Sequence, residues 1–143
     1  MSVAIEARRR PFTTAQERLA MDWKLELVPV PVTDVDRAIA FYVEKVGFHL
    51  DHDHTVNDET RFVQLTPPGS ACSIAMGKGI VDSTPGSMRG LQLVVSDIDE
   101  ARTHLVDRGV PASDVEDFPW GRFVFFEDPD GNTWSVQQIP SRS

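Results

Sequence analysis

Asp51-His52-Asp53-His54 is the densest group of reactive side chains in the chain. His52 and His54 lie two residues apart, so on a strand they share a face, and paired imidazoles can ligate a transition metal or move a proton near neutral pH. Asn57-Asp58-Glu59 directly afterwards reads as a turn. This sets the pair near a strand end, where alternating His and Asp more often form a solvated edge. His49 and His104 have no partner in sequence, and His104, one residue before the apolar Leu105, reads as helix surface. Arg61 and Arg122 each open a strand and are placed to reach a carboxylate on a ligand, although strand-edge arginines are usually solvated. Gly77-Lys78-Gly79 lacks the spacing of a phosphate loop and there is no Gly-x-Ser-x-Gly elbow, so both of those chemistries are excluded. Phe118, Trp120, Phe123, Phe125 and Phe126 crowd together late in the chain and offer either a stacking wall for a ligand or core packing.

The charge balance narrows the partners. A formal net charge of -8 repels nucleic-acid backbones and anionic membranes, both of which need clustered Lys and Arg. Arg8, Arg9 and Arg10 are the only basic run, and no apolar stretch follows them, so neither a signal peptide nor a membrane span is expected and the cytoplasm is the expected compartment. The single cysteine, Cys72, rules out an intrachain disulfide, which suits a reducing environment.

The elements that must position these residues follow from periodicity. Residues 1–23 read as an extension, either a packing or oligomer arm or a tail without a role. Thr14-Ala-Gln-Glu17 in it has capping-box spacing for one short helix. From Lys24 an apolar run reaches Val32, and Pro29 and Pro31 confine it to an edge or irregular strand. Thr33 is the expected N-cap, with Asp36 as capping partner, of a helix whose buried face is Val35, Ala38, Ile39, Tyr42 and Val46 and which Gly47 ends. Strand-like runs follow at 48–54, 60–66 and 71–76, the last two joined by Pro67-Pro68-Gly69.

The order then begins again. Val30-Pro-Val-Thr-Asp-Val-Asp-Arg-Ala38 matches Leu93-Val-Val-Ser-Asp-Ile-Asp-Glu-Ala101, making Ser96 and Asp99 the counterparts of Thr33 and Asp36. Thr66-Pro-Pro-Gly-Ser-Ala-Cys-Ser-Ile74 matches Asp128-Pro-Asp-Gly-Asn-Thr-Trp-Ser-Val136, with a Gly-, Ser-, Thr- and Pro-rich linker over 77–88 between the copies. Agreement at both ends identifies a duplication. The modules are 24–77 and 89–139 within a domain spanning 24–143.

With this tandem repeat, the Val-x-Asp-x-x-x-Ala-x-x-Phe-Tyr run at 32–42 and Asp128-Pro-Asp-Gly-Asn-Thr-Trp134, the chain resembles the vicinal oxygen chelate superfamily of glyoxalases, bleomycin-resistance proteins and dioxygenases. The resemblance implies an α+β fold of two βαβββ modules, a cup-shaped eight-stranded mixed sheet whose concave face holds the ligand, and a homodimer that often completes the cup across its interface. In metal-dependent members one ligand comes from the first and one from the last strand of each module, and these positions fall here on Leu27, Ser73, Gly90 and Ser135. None offers a carboxylate or imidazole, so no metal and no other cofactor is expected. Strand alternation puts Pro29, Ala75, Gln92 and Gln137 on the same face. With Leu27, Ser73, Ser135, Trp120 and Phe125 they form the expected binding surface for a neutral or weakly polar organic ligand. Cys72, matched to Trp134, is expected on the opposite face against a helix. The leading reading is a metal-independent small-molecule-binding protein. The alternatives are a glyoxalase-like lyase or isomerase with a relocated metal or side-chain acid and base, and a dimeric partner-binding module.

Overall fold

The computed structural model describes residues 21–140, so the helix expected around Thr14 to Glu17 lies outside the described residues. The first module contains β1 (Leu27–Pro29), α1 (Val35–Ile39) with a π-helical continuation (Ala40–Val46), β2 (His49–Asn57), β3 (Thr60–Thr66) and β4 (Ser73–Lys78). The second contains β5 (Leu91–Val95), α2 (Ile98–Asp107), β6 (Glu116–Phe118), β7 (Gly121–Glu127) and β8 (Thr133–Gln138). Both expected βαβββ modules are therefore present. Their eight strands divide into two four-stranded mixed sheets of order β1-β4-β3-β2 and β5-β8-β7-β6. In each, only the first strand runs parallel to its neighbour. Pro29 and Pro31 hold β1 to three residues at a sheet edge, shorter than the apolar run suggests.

Local chemistry starts both helices one residue later than expected. Asp34 and Asp97, not Thr33 and Ser96, are the N-caps: their carboxylates accept from the backbone N–H of Arg37 at 3.1 Å and of Glu100 at 3.0 Å. Each helix start offered two adjacent cap-competent residues, and the carboxylate also favours the positive end of the helix dipole. The first helix then widens into π turns, so the strict 3.6-residue face is broken and Phe41 is buried together with Tyr42. Gly47, at φ 103°, closes it in the left-handed conformation that glycine adopts without strain.

The ladders also correct the alignment of the repeat. Arg61 pairs with Lys78 and Arg122 with Gln138, which makes Ser73 the counterpart of Thr133 and Ala75 the counterpart of Ser135. The last strand is displaced by two residues from the register of the sequence repeat. Because side chains alternate with period two, this shift leaves every expected facing intact.

One core serves both modules. Val63, Leu65, Ile74 and Met76 from the first sheet and Val124, Phe126, Trp134 and Val136 from the second join Ala38, Phe41, Tyr42, Ile98 and Leu105 of the helices in a single buried cluster. The sheets thus turn one face each toward the shared interior and the other face away from it.

At the centre of this core a polar latch ties the modules together. The Tyr42 hydroxyl donates to Asp128 Oδ2 at 2.7 Å and accepts from Trp134 Nε1 at 3.0 Å. Asn132, fully buried, donates through Nδ2 to the Pro31 carbonyl and to Asp128 Oδ2, both at 2.8 Å. Asp130 accepts from the Thr33 N–H and from Arg37, each at 3.2 Å. Burial, followed by the neighbouring Asp128 charge, pushes the Tyr42 phenol far above its ordinary value, so it acts as a neutral donor. The turn Asp128-Pro-Asp-Gly-Asn132 is thus a device for joining modules, pairing the Tyr42 hydroxyl, the Asp128 carboxylate and the Asn132 amide, which would be costly to bury unpaired, while Asp130 Oδ2 is left buried without a partner among the described residues.

Candidate functional site

The outward faces of the two sheets carry the candidate site, and they differ sharply. On the second sheet β5, β8, β7 and β6 present Gln92 and Val94, Ser135 and Gln137, Phe123 and Phe125, and Phe118. Phe118 and Trp120 stack at 5.3 Å and 15°, Phe118 meets Phe123 edge-on at 5.5 Å, and Phe123 stacks on Phe125 at 5.9 Å. The result is one continuous aromatic wall. Trp120 is 61% exposed and Phe118 and Phe125 are close to 40%, unusual for side chains of this size. Phe126, the fifth aromatic of the cluster, faces the core and stacks on Trp134 at 6.0 Å.

Beneath the wall lies an amide and hydroxyl floor. Gln92 Nε2 donates to Gln137 Oε1 at 2.5 Å, Ser135 Oγ donates to Gln92 Oε1 at 3.3 Å, and Gln137 Nε2 donates to the Trp120 carbonyl at 2.9 Å. Gln92, Phe125 and Ser135, with the loop Pro111-Ala112-Ser113, line a depression of about 660 Å³. Ser113 fixes that loop by donating its N–H to the Phe125 carbonyl and accepting the Phe125 N–H at its Oγ, both at 2.9 Å. Nothing in the spacing of Pro111 to Ser113 signalled this role.

The first sheet presents polar groups. Leu27, Pro29, Ser73 and Ala75 share its outward face with Gln64 and Phe62, and the ladder sets His52 opposite Gln64 and His54 opposite Phe62. The expectation that the histidines lie at a strand end is therefore corrected: β2 runs on to Asn57, and both rings stand on the outward face in mid-strand, 5.7 Å apart and 24° from parallel. A bulge between Leu50 and His52 leaves Asp51 without a ladder partner. Its carboxylate accepts from the hydroxyl of Thr66 and meets His49 Nδ1 at 2.8 Å, and Thr66 Oγ1 lies 2.6 Å from Ser73 Oγ. The Thr66 hydroxyl, then His49, hold the Asp51 carboxyl below the usual carboxylate range. Ser73 and Ala75 are buried under these neighbours, whereas Pro29 is exposed.

The expected binding set is thus divided between two sheets. Leu27, Pro29, Ser73 and Ala75 belong to the first, and Gln92, Trp120, Phe125, Ser135 and Gln137 to the second. Within one chain the two groups are not brought onto one surface, because a shared core lies between them.

Other expectations resolve into structure. Arg61 spans β2 and α1, donating to Asp53 at 2.8 and 2.9 Å and to Asp36 at 2.9 Å. Arg122 repeats the clamp between Asp117 at 2.9 Å and Asp99 at 3.2 Å. Both guanidiniums are therefore committed to carboxylates of the chain itself, and two of these, Asp36 and Asp99, are the ones sequence spacing assigned to capping. His104 is not free helix surface: its Nε2 lies 2.9 Å from the Val46 carbonyl, joining α2 to the end of the π-helical segment. Cys72 sits half-exposed in the β3–β4 loop, its N–H bonded to Ser70, and not packed against a helix like Trp134.

The positions that would ligate a metal do not fit one. Leu27 lies beside Ser73 and Gly90 beside Thr133, and neither Thr133 nor Ser135 supplies a carboxylate or imidazole. Among the described residues no group of three or more His, Cys, Asp or Glu side chains is placed to hold an ion.

Comparison with known proteins gives a consistent picture. The sequence model of the Glyoxalase/Bleomycin resistance protein/Dioxygenase superfamily matches residues 24–136. Among solved structures, TnmS3, an antibiotic binding protein from Streptomyces sp. CB03234, is 36% identical with a TM-score of 0.77, covering 85% of this chain and 99% of that one. A glyoxalase/bleomycin resistance protein from the same organism is 38% identical with a TM-score of 0.71, over 80% of this chain and 100% of its own. The uncharacterized protein YetH of Bacillus subtilis is 26% identical over 78% of this chain and 94% of its own length. Among the described residues no helix is long and apolar enough to cross a membrane.

Proposed function

Because the chain belongs to the glyoxalase/bleomycin resistance protein/dioxygenase superfamily, we propose that it is a metal-independent small-molecule-binding protein whose ligand is a neutral or weakly polar organic compound with a planar aromatic body. The observation that carries this is the aromatic wall of exposed Phe118, Trp120 and Phe125, joined through the buried ring of Phe123, above the floor of Gln92, Ser135 and Gln137. Flat faces left open to water gain free energy when a planar ligand covers them. Paired amides and hydroxyls beneath them fix orientation without burying a charge. The similarity to an antibiotic binding protein supports an antibiotic-like compound. The working unit is a cytoplasmic homodimer in which the first sheet of one protomer faces the second sheet of its partner, uniting the divided binding set.

The test is a fluorescence titration of the protein against planar polycyclic antibiotics, with Trp120 as reporter. Saturable quenching, unchanged by chelator and lost in Ser135→Phe, is expected. Binding that needs an added divalent metal, or none across the panel, overturns the reading.

One observation favours a second reading. His52 and His54 stand on the outward face of the first sheet beside a bulged Asp51, groups suited to acid and base work in a lyase or isomerase. Turnover of a bound ligand, abolished with the histidines, would select it.

A further inference from the structure

Each module ends in a turn that faces the other module, and only one of the two turns is bonded there. The Asp128–Asn132 turn enters the angle between β1 and α1. Asp130 accepts from the Thr33 N–H and from Arg37 Nη2, each at 3.2 Å, and Asn132 donates to the Pro31 carbonyl at 2.8 Å. By the sequence repeat, Leu93 to Ala101 matches Val30 to Ala38, so the corresponding angle lies between β5 and α2. Pro67 and Pro68 of the first module face that angle, and among the described residues no hydrogen bond joins their turn to the second module. Proline has neither an N–H nor a polar side chain, so it cannot repeat what Asp130 does. A cleft of about 450 Å³ separates the prolines from β5 and α2.

This cleft has an apolar floor and an acidic rim. Val46, Phe48, Leu93, Ala101, Phe126 and Val136 line it, and three of them, Phe48, Phe126 and Val136, are buried core residues. Such a volume and lining fit a small organic molecule. The charges on the rim are the carboxylates of Asp97 and Glu100, and neither Lys nor Arg lines the cleft. Glu100 is exposed, and among the described residues its carboxylate has no hydrogen-bonded or ionic partner. It occupies the position of Arg37, the residue that donates to Asp130 in the latch. The charge of the latch is thus inverted: one angle offers a guanidinium and takes a carboxylate, and the other offers carboxylates. The start of α2 contributes only about half a unit of positive charge, which these two carboxylates outweigh. His104, with its Nε2 held 2.9 Å from the Val46 carbonyl, braces the wall where α2 meets the first module.

We propose that the cleft is a second binding site, separate from the outward-facing surface, for a small organic cation. A compact aliphatic body covers Phe48, Phe126 and Val136, and an ammonium group sits against Glu100 and Asp97. Leu93, Phe126 and Val136 reach the cleft from the inner side of the second sheet, whereas Gln92, Phe125 and Ser135, their neighbours in sequence, stand on its outward side. The assignment goes beyond the planar ligand of the outward face and does not depend on it.

The test titrates the full chain with cyclohexylmethylamine, cyclohexylmethanol and cyclohexanecarboxylate, probes with the same ring and a positive, neutral or negative head. Backbone and methyl NMR resonances report the position. The amine should bind saturably with a dissociation constant of about 1 mM, the scale for so small a probe. It should shift Leu93, Ser96, Ala101 and Val136 and leave the Trp120 indole N–H unmoved. The alcohol should bind about fivefold more weakly, and the carboxylate more weakly still. Glu100→Arg, which places the first module's residue at an exposed position, should reverse the order so that the carboxylate binds more tightly than the amine. Equal binding of all three probes, shifts confined to the Trp120 face, no saturable shift in the cleft, or an order unchanged by Glu100→Arg overturns the site. None of these results alters the planar-ligand titration reported by Trp120, so the two readings fail separately.

Discussion

The two modules share a plan and differ in what they show to solvent. Both use an Asp N-cap, an arginine clamp from the third strand to the helix, and a last strand parallel to the first. Yet the second module displays stacked aromatics over amides, while the first displays histidines, a bulged aspartate and a hydroxyl pair. Their last turns differ too: Asp128-Pro-Asp-Gly-Asn132 buries Asp128 and Asn132 and reaches across to Tyr42 and Pro31, whereas the Pro67–Cys72 turn bonds within itself. The duplicated frame is thus kept by interactions on the inward faces, which leaves the outward faces to diverge. Stability resides in what the copies share and the link between them, and the ligand recognition proposed above would reside in what they do not share.

The sharpest way to break that division is the latch. Asp128→Ala leaves the Tyr42 hydroxyl and one N–H of the Asn132 amide buried without an acceptor and should cost about 3 kcal/mol in urea unfolding. Ser70→Ala, in the corresponding turn of the first module, should cost under about 1 kcal/mol because its bonds are exposed. Equal effects would show that the modules are not joined through the second turn.

On the recognition side, Ser135→Phe should abolish binding of a planar aromatic ligand, since a ring there fills the floor under Gln92. Trp120→Ala should weaken binding about tenfold, the loss of one stacking surface. Neither should lower the unfolding midpoint as far as Asp128→Ala. A Trp120→Ala protein that binds normally would remove the aromatic wall from the site.

The clamps sharpen the shared half of the comparison. Arg61, mostly buried, holds Asp53 and Asp36, so Arg61→Ala should cost about 1 kcal/mol. Arg122 is more exposed and Arg122→Ala should cost less. The hydrogen bond from Arg61 holds the Asp53 carboxyl below its ordinary range. A depressed carboxylate contributes stability that is present above its unfolded value, about 3.9, and is lost as pH falls through the lower folded value. Arg61→Ala removes that contribution, so its stability should fall less steeply than wild type below about pH 4, as followed by acid titration of the circular dichroism signal.

How much of this could be read from the chain depends on range. The helices, the turns at Gly47 and Pro67–Gly69, and the facing of Ser135 and Gln137 follow from local periodicity and from residues with restricted backbones, so they were legible. The two-residue shift of β8 was harmless because facing repeats every two residues. The bulge at Asp51 was not legible, since an extra residue in a strand leaves no mark on residue types, and it is what puts His52 on the outward face in mid-strand. The π turns that bury Phe41 likewise have no compositional cue. The bond of Tyr42 to Asp128 joins positions 86 apart, so Asp128-Pro-Asp-Gly-Asn132 could be seen as a turn but not as a latch. The same limit explains why nine residues expected on one surface fall on two: alternation fixes which way a side chain points from its sheet, not which way the sheets point from each other.

The smallest expected effect belongs to the first module's outward face. His52 and His54 are exposed, and neither ring has a hydrogen-bond partner among the described residues, so His52→Ala with His54→Ala should leave the unfolding midpoint unchanged. In the dimeric cup they would face the partner's aromatic wall and touch the ligand's rim, where an exposed contact contributes little. Binding should weaken by less than about 1 kcal/mol, under about sixfold, when titrated beside Trp120→Ala. Position no longer separates the histidines from the site, since they share the outward face with Ala75 and Gln64; only energetic weight does. If the double variant lost binding or turnover while Trp120→Ala kept it, the working face would be that of the first module. The bulged Asp51 and the imidazole pair would then be acid and base groups, and the enzyme reading would displace the binding one.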